Sequence, residues 1–252
     1  MTLTTTARTV SNRIRASVKI IEKKEIAEAT LGLYLEKPIG FNYVAGQYVL
    51  LQVPQLIEKG GRESTHSMSL VSAPYQNHLL IVMRVSQSDF KQTINNMVVG
   101  EELVVDGPIG SLILDNDDRP VIFLAGGIGI APFFSIIQEQ EYLGWSRSVT
   151  LFYGNKTPQN TAFLENLRQI KSDKFSFIPT MSQLPEGDKS WSGERGRISA
   201  KMISRYVKDI SVPLYYIVGL PEMVKSTKDE LIKLNVSIDD IKIEYFTGYK
   251  DI

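Results

Sequence analysis

The chain contains no cysteine, which excludes disulfides, thiolate zinc sites, a cysteine nucleophile and any iron–sulfur cluster ligated by its own residues. Histidine is almost as scarce: His66 and His78 are the only two, too few for a histidine-based metal site. No apolar stretch approaches the roughly 20 residues needed to cross a bilayer. The opening MTLTTTARTV lacks the apolar segment of a secretory signal. Net charge is absent as well, because 28 basic residues balance 28 acidic ones. The basic residues are scattered, so there is no footprint of a nucleic-acid binder. The Walker pattern G-x-x-x-x-G-K-[ST] and internal repeats are also missing, which removes the P-loop enzymes and the solenoids. The expectation is a soluble cytoplasmic protein that acts on a small molecule or a protein partner.

The 252 residues are enough for two ordinary domains with separate cores. Up to about Leu114 the sequence reads as short strands. RASVKIIEKKEI, ATLGLYLEKP, AGQYVLLQVP, HSMSLVSAP, HLLIVMRVS and EELVVDGPIG carry β-branched and aromatic residues between Gly, Pro and Asn breaks. This spacing predicts an antiparallel β-barrel, interrupted by one helix from about Asp89 to Met97. The acidic, proline-ended DNDDRP cannot continue a strand and divides residues 1–116 from 117–252. Beyond it strands and helices alternate: VIFLAG, APFFSIIQEQEYLG, SVTLFYGN, NTAFLENLRQI, KFSFIPTM, SAKMISRYVKD, PLYYIVGL, PEMVKSTKDELIKLN and IKIEYF. Alternation of this kind predicts an α/β domain with a parallel sheet and ligands at the carboxyl ends of its strands.

Loops at that edge carry the chemistry. In FLAGGIGIAPFFSII, Gly126, Gly127 and Gly129 let the backbone turn tightly and bring its N–H groups to an anion. Ile130, Ala131 and Pro132 follow at the helix start, where a proline lacks only an N–H that would have no intrahelical partner. FYGNKT adds Gly154, Asn155 and Lys156 at the next strand end, and IVGLPEM adds Gly219, Pro221 and Met223.

Together AGGIGIAPFFSII, FYGNKT, YYIVGLPEM and the closing IEYFTGY resemble the nucleotide-binding half of the ferredoxin–NADP reductase superfamily. In the first half, YVAGQYVLLQVP, HSMSLVSAP and VDGPIGSLIL resemble that family's strands and its G-P-x-G turn. The resemblance runs in the family's order over nearly the whole chain. It implies a flavin-binding β-barrel over 1–116, and an NAD(P)-binding domain over 117–252 that ends in a flavin-covering segment.

In such enzymes an R-x-[YF]-S-x-x-S-x-P strand lies against the flavin. Ser69, Ser72 and Pro74 match it, and the resemblance implies that Ser69 reaches the reactive edge of the ring. His66 stands where the arginine that holds the pyrophosphate is expected, with Ser67 beside it, and Met68 replaces the aromatic ring. A histidine lacks the guanidinium fork and is largely neutral at physiological pH. Flavin affinity is therefore expected to draw on Lys91, on the N–H groups near Gln92 and Thr93 in SQSDFKQT, and on Arg84. Met68 would offer a polarizable apolar contact.

At the other end the resemblance implies that Phe246 and Tyr249 cover the flavin, with Glu244 near its reactive edge. Such an aromatic must move aside before nicotinamide can stack, which makes it a gate. Val218 occupies a position where family members often carry cysteine. Ser182 matches a residue of NADP-using relatives, but Gln183 stands in place of an arginine. Lys156, Arg195 and Arg197 supply positive charge nearby, and NADH is slightly preferred.

The implied function is an NAD(P)H oxidoreductase with FAD, in preference to FMN, and NAD(P)H as exchangeable cosubstrate. Electrons would pass to a separate acceptor: ferredoxin, flavodoxin, another redox subunit, or a small molecule such as free flavin. Two alternatives stay open, a flavin reductase that uses flavin as substrate and a non-catalytic subunit that keeps the fold for binding.

Overall fold

The structure, a computed structural model, describes residues 13–58 and 63–246. The first half is an antiparallel sheet. It contains β1 (Ile14–Ala27), β2 (Thr30–Glu36), β3 (Tyr48–Gln52), β4 (Thr65–Ser69), β5 (His78–Arg84) and β6 (Glu102–Ile109), in the spatial order β4-β3-β6-β1-β2-β5. The long β1 pairs β6 through Ile14–Lys19 and β2 through Ile20–Ala27, with register shifts after Ile20 and Glu25 that bend the strand. Just past β4, the Val71 N–H donates to the Leu80 carbonyl of β5 at 2.8 Å. That bond joins the two ends of the order, and the sheet closes as a barrel. Inside it lie Leu33, Leu35, Leu51, Phe90 and Leu103.

A short α1 (Pro54–Glu58), not expected from the sequence, follows β3, and α2 (Asp89–Asn96) follows β5 where the pattern placed a helix. Ser88 caps α2, its hydroxyl accepting from the Lys91 N–H at 3.4 Å. The Lys23 ammonium closes the other end by donating to the carbonyls of Ile94, Asn95 and Met97 at 3.1, 2.8 and 2.6 Å.

The second half is a parallel sheet of β7 (Val121–Gly126), β8 (Val149–Asn155), β9 (Phe175–Met181), β10 (Glu194–Arg195), β11 (Leu214–Gly219) and β12 (Ile241–Tyr245), in the order β10-β9-β8-β7-β11-β12. Its central strands are nearly continuous apolar runs because α3 (Ile130–Leu143), α4 (Leu164–Gln169), α5 (Ala200–Tyr206) and α6 (Pro221–Lys233) accompany the sheet. The chain runs β7, β8, β9 outward and then crosses back to β11 beside β7. A switch point therefore lies between β7 and β11, the place at the carboxyl ends where open sheets of this kind hold ligands in a crevice. Gly144, at φ 84°, ends α3.

Two expectations need adjustment. Pro132 is the third residue of α3, since a single 3₁₀ turn, Gly127–Gly129, leads into Ile130. That is still the first turn, where no intrahelical N–H bond is lost. NTAFLENLRQI is helical only from Leu164 to Gln169. Thr157, Asn160 and Thr161 bond among themselves and to the Thr157 and Pro158 carbonyls instead, the local competition these side chains offer a helix.

The halves share one apolar cluster, in which Val71, Leu80 and Val82 meet Phe133, Phe134 and Ile137 of α3. A buried polar knot crosses the same junction. The Tyr43 and Ser135 hydroxyls both donate to the Ser72 carbonyl, at 2.8 and 2.6 Å. Gln138 donates to the Val71 carbonyl at 2.8 Å. The second serine of the flavin-strand motif thus holds α3 against the barrel.

Candidate active site

The glycine loop sits at the switch point. A Cβ on Gly129 would lie 2.4 Å from the Val218 carbonyl oxygen, so the loop packs directly on the end of β11. Gly126 pairs with Gly154 across β7 and β8, and Gly127 has φ 53°, a conformation glycine enters without penalty. The thioether of Met223, in the first turn of α6 after Pro221, lies over Gly126 and Gly219, where added Cβ atoms would meet its sulfur at 3.1 and 2.9 Å. Predicted residues of three loops thus converge on one crevice, with Ile130 and Ala131 buried beneath it.

Asn155 and Lys156 form a neighbouring group. Their carbonyls accept from the Ser182 and Gln183 N–H groups, each at 2.9 Å, and the Ser182 hydroxyl also turns to the Asn155 carbonyl at 3.2 Å. Beyond them a cleft of about 480 Å³ is lined by Ser182, Glu186, Asp188, Lys189 and Arg195 among others. The Arg195 guanidinium donates to the Asp188 carbonyl within this cleft. Glu186, Asp188 and Lys189 carried no strand or helix pattern to single them out in the sequence.

In the barrel, β4 places His66 and Met68 on one face and Ser67 on the other, as strand alternation requires. The His66 ring packs on Phe90 of α2 with centroids 4.2 Å apart, and its Nε2 is buried with no hydrogen-bond partner among the described residues. Burial holds the imidazole below its ordinary pKa, the nearby Lys91 charge adding to this and Glu63 opposing it. Lys91, in the first turn of α2, is 5% exposed, and burial pulls its ammonium down to about 8. The Gln92 N–H, expected to face an anion, donates instead to the Ser88 carbonyl at 2.9 Å, and its side-chain amide donates to the Ser86 carbonyl at 2.6 Å; Thr93 is half-buried on the next position of the helix.

Met68 and Ser69 are both buried, and Met68 belongs to the barrel core with Val49 opposite it on β3. Gly110, in the G-P-x-G turn, has φ 108° and no room for a Cβ beside the Tyr48 ring, 2.8 Å away. Tyr48 thereby joins the wall next to Ser69, its partner in the β3–β4 register. Arg84 lies apart from this group. Its guanidinium donates to the carbonyls of Glu28 and Asn160 at 2.9 and 2.5 Å, between the barrel and the β8 loop.

Glu244 of the edge strand β12 and Phe246 just past it flank the carboxyl end of β11. Glu244 pairs with Val218 in the β11–β12 register, and burial pushes its carboxyl up to about 7. The Phe246 N–H donates to the Gly219 carbonyl at 2.9 Å, and its ring packs on the shared core. Tyr249 lies outside the described residues. No group of three or more metal-ligating side chains occurs among the described residues.

The geometry brings three glycine-bearing loops together at the switch point of the parallel sheet, beside an antiparallel sheet domain. Residues 123–229 match the family model of the oxidoreductase NAD-binding domain. The chain is 26% identical over 243 residues to the reductase component of propane 2-monooxygenase from Mycolicibacterium goodii, covering 93% of this chain and 68% of that one. It is 28% identical over 208 residues to the CDP-6-deoxy-L-threo-D-glycero-4-hexulose-3-dehydrase reductase of Yersinia pestis, covering 81% and 60%. This chain thus spans roughly two thirds of the length of these curated relatives. A ferredoxin NADP⁺ reductase from Neisseria gonorrhoeae, solved with FAD and NADP bound, shares the fold at a TM-score of 0.78 and 21% identity, over 92% of this chain and 98% of that one. Over residues 123–229 the chain carries an oxidoreductase NAD-binding domain, the curated relatives it resembles are reductases, and its two-domain fold is that of the ferredoxin–NADP reductases. No helix of the described residues is long and apolar enough to cross a membrane.

Proposed function

We propose that the protein takes reducing equivalents from NAD(P)H at the carboxyl edge of the parallel sheet and delivers them through FAD to a separate acceptor. Residues 1–116 serve as the flavin domain and 117–252 as the nucleotide domain. The observation that carries this reading is the convergence at the switch point, where Gly129 packs on Val218 and the half-neutral Glu244 lies beside the same residue. Two groups with different tasks, a cradle and a proton-holding carboxyl, meet at one strand end.

Bound flavin supplies the conversion between two-electron and one-electron transfer. The chain's part is to hold it and to keep it dry. The orphaned Nε2 of His66 fits a hydrogen bond to a phosphate oxygen, and the buried Lys91 ammonium supplies positive charge beside it. Lys91 lies in the first turn of α2, where the helix dipole favours an anion, with Gln92 and Thr93 following it. Ser69 lines the ring site from β4 with Met68 behind it in the barrel core, and Phe246 closes it from the C-terminal side. Glu244 holds its proton on a carboxyl oxygen near neutral pH and can exchange it as the redox state changes.

Gly126, Gly127, Gly129, Ile130, Ala131 and Pro132 form the pyrophosphate cradle for NAD(P)H, flanked by Gly154, Asn155, Lys156, Gly219, Pro221 and Met223. Ser182 marks the adenosine end. NADH is preferred there, because the Ser182 hydroxyl is turned to the Asn155 carbonyl, Gln183 is neutral, and Glu186 and Asp188 offset Lys189 and Arg195 around the cleft. A 2′-phosphate would enter without a dedicated cation.

These residues contain no cysteine to ligate a cluster, and the acceptor proposed is a ferredoxin, flavodoxin, other redox subunit or small molecule outside them. The neutral His66 in the arginine position favours one second reading, a flavin reductase that releases its flavin as product. Equilibrium dialysis at micromolar concentration separates the two. Retained yellow colour, with NADH-dependent reduction of ferricyanide, supports the bound-flavin reductase, whereas loss of colour with preserved NADH oxidation by added flavin supports the second reading. Failure of both activities in protein supplied with FAD would overturn the enzymatic reading.

A further inference from the structure

Arg84 ends β5, and its two terminal nitrogens divide between the halves of the molecule. One donates to the Glu28 carbonyl in the β1–β2 turn at 2.9 Å, the other to the Asn160 carbonyl beyond β8 at 2.5 Å. The turn and the loop are also tied to each other. The Glu28 N–H donates to the Gln159 carbonyl at 2.9 Å, and the Asn160 amide donates to the Glu28 carboxylate at 2.6 Å. These bonds make a clasp across the junction with Arg84 at its centre.

The loop it holds leads to the nucleotide edge. Thr157, Asn160 and Thr161 stiffen it internally. Asn155 and Lys156, just before it, carry Ser182 and Gln183 on their carbonyls. A displacement at Asn160 is thus passed to the adenosine end of the crevice. The Arg84 charge also reaches the buried Tyr153 phenol of β8. On the opposite flank, Ser135 and Gln138 of α3 hold Ser72 and Val71 of the barrel. Two attachment points fix an orientation that one would leave free to pivot.

On the reading that nucleotide and flavin are held by different halves, we infer that Arg84 is a positioning residue that sets the β8 loop, and with it the nucleotide, in register with the flavin domain. Reacting atoms must come within roughly 3–3.5 Å, and an ångström of misplacement can cost about a hundredfold in rate. Arginine suits the task because a planar fork spans two carbonyls at once, which a lysine point charge does not. This role differs from the phosphate contact expected of Arg84 from sequence.

The test uses the full chain carrying FAD, as wild type, Arg84→Met, Arg84→Lys and Glu28→Ala. Flavin affinity, the KM for NADH, the single-turnover rate of flavin reduction and hydrogen exchange over residues 156–163 are measured for each. The expected result for Arg84→Met is unchanged flavin affinity, a KM raised and a reduction rate lowered by about tenfold each, and faster exchange in that segment. Arg84→Lys recovers part of the loss, and Glu28→Ala shows the same pattern more weakly, which decides the matter if Arg84→Met fails to fold. Loss of flavin from the Arg84 variants would assign it to the pyrophosphate and overturn the proposal, as would unchanged reduction kinetics. If wild-type flavin is not reduced by NADH, the reductase reading itself fails, and the exchange data alone uphold or refute the clasp.

Discussion

Glu244 and Val218 face each other in the parallel register of β12 and β11, and the carboxyl, pushed up to about 7 by burial, lies where it can change charge near neutrality. Burial disfavours its ionised form, so the folded state binds this proton more tightly than the unfolded chain does. The resulting cost is fully present above pH 7 and disappears as the pH falls toward the ordinary carboxylate value. Glu244→Gln is therefore expected to be more stable than wild type at pH 8, by roughly 3 kcal/mol, and equally stable at pH 4. Denaturant unfolding at the two pH values checks this. Wild-type turnover should also show an inflection near pH 7 that the variant lacks.

Lys91 and His66 predict how flavin is held. The Lys91 ammonium, at about 8 without a bound anion, is stabilised by a phosphate beside it, while the neutral His66 feels the charges of both Lys91 and Glu63. Flavin affinity should be highest below pH 8, where Lys91 is charged, and should fall as the pH rises above it. Lys91→Met is expected to weaken FAD by about tenfold or more, the loss typical of a charge-assisted hydrogen bond, and to flatten that dependence. Fluorescence titration from pH 6 to 9.5 measures both.

Gly129→Ala tests the cradle. Its new methyl would lie 2.4 Å from the Val218 carbonyl oxygen, a backbone atom without a flexible end to yield. Separation of β7 from β11 should cost about 1–3 kcal/mol of stability and raise the KM for NADH strongly, with flavin content unchanged. Equal KM values in the variant and wild type would remove this loop from the nucleotide site.

Gln183→Arg tests nucleotide choice. Placing a guanidinium beside Ser182 should raise kcat/KM for NADPH by roughly tenfold, one charge-assisted contact, and leave NADH nearly unaffected. Steady-state kinetics with both nucleotides decides it.

Most of the strands were legible in the sequence because alternation and apolar runs persist over whole elements, as in Val121–Gly126 and Leu214–Gly219. The glycine loops were legible for the same reason, since a strand end, a turn and a helix start follow one another locally. What depended on distant partners was not. Arg84 bonds Asn160, 76 residues away, and no local pattern records that. The helix expected from Asn160 shrank because Thr157 and Asn160 formed their own turn and Phe163 adopted φ 59°. Met68 carried a motif position, yet its environment, the barrel core opposite Val49, was set by the closure of the sheet.

The central claim is that a nicotinamide cofactor at the switch-point crevice reduces flavin held by the barrel. Anaerobic titration of the FAD-loaded protein with NADH, followed in the flavin absorbance, tests it most directly. The account predicts bleaching complete at about one equivalent of NADH per flavin, since each two-electron donor reduces one flavin. Flavin absorbance unchanged by excess NADH and by excess NADPH would contradict it.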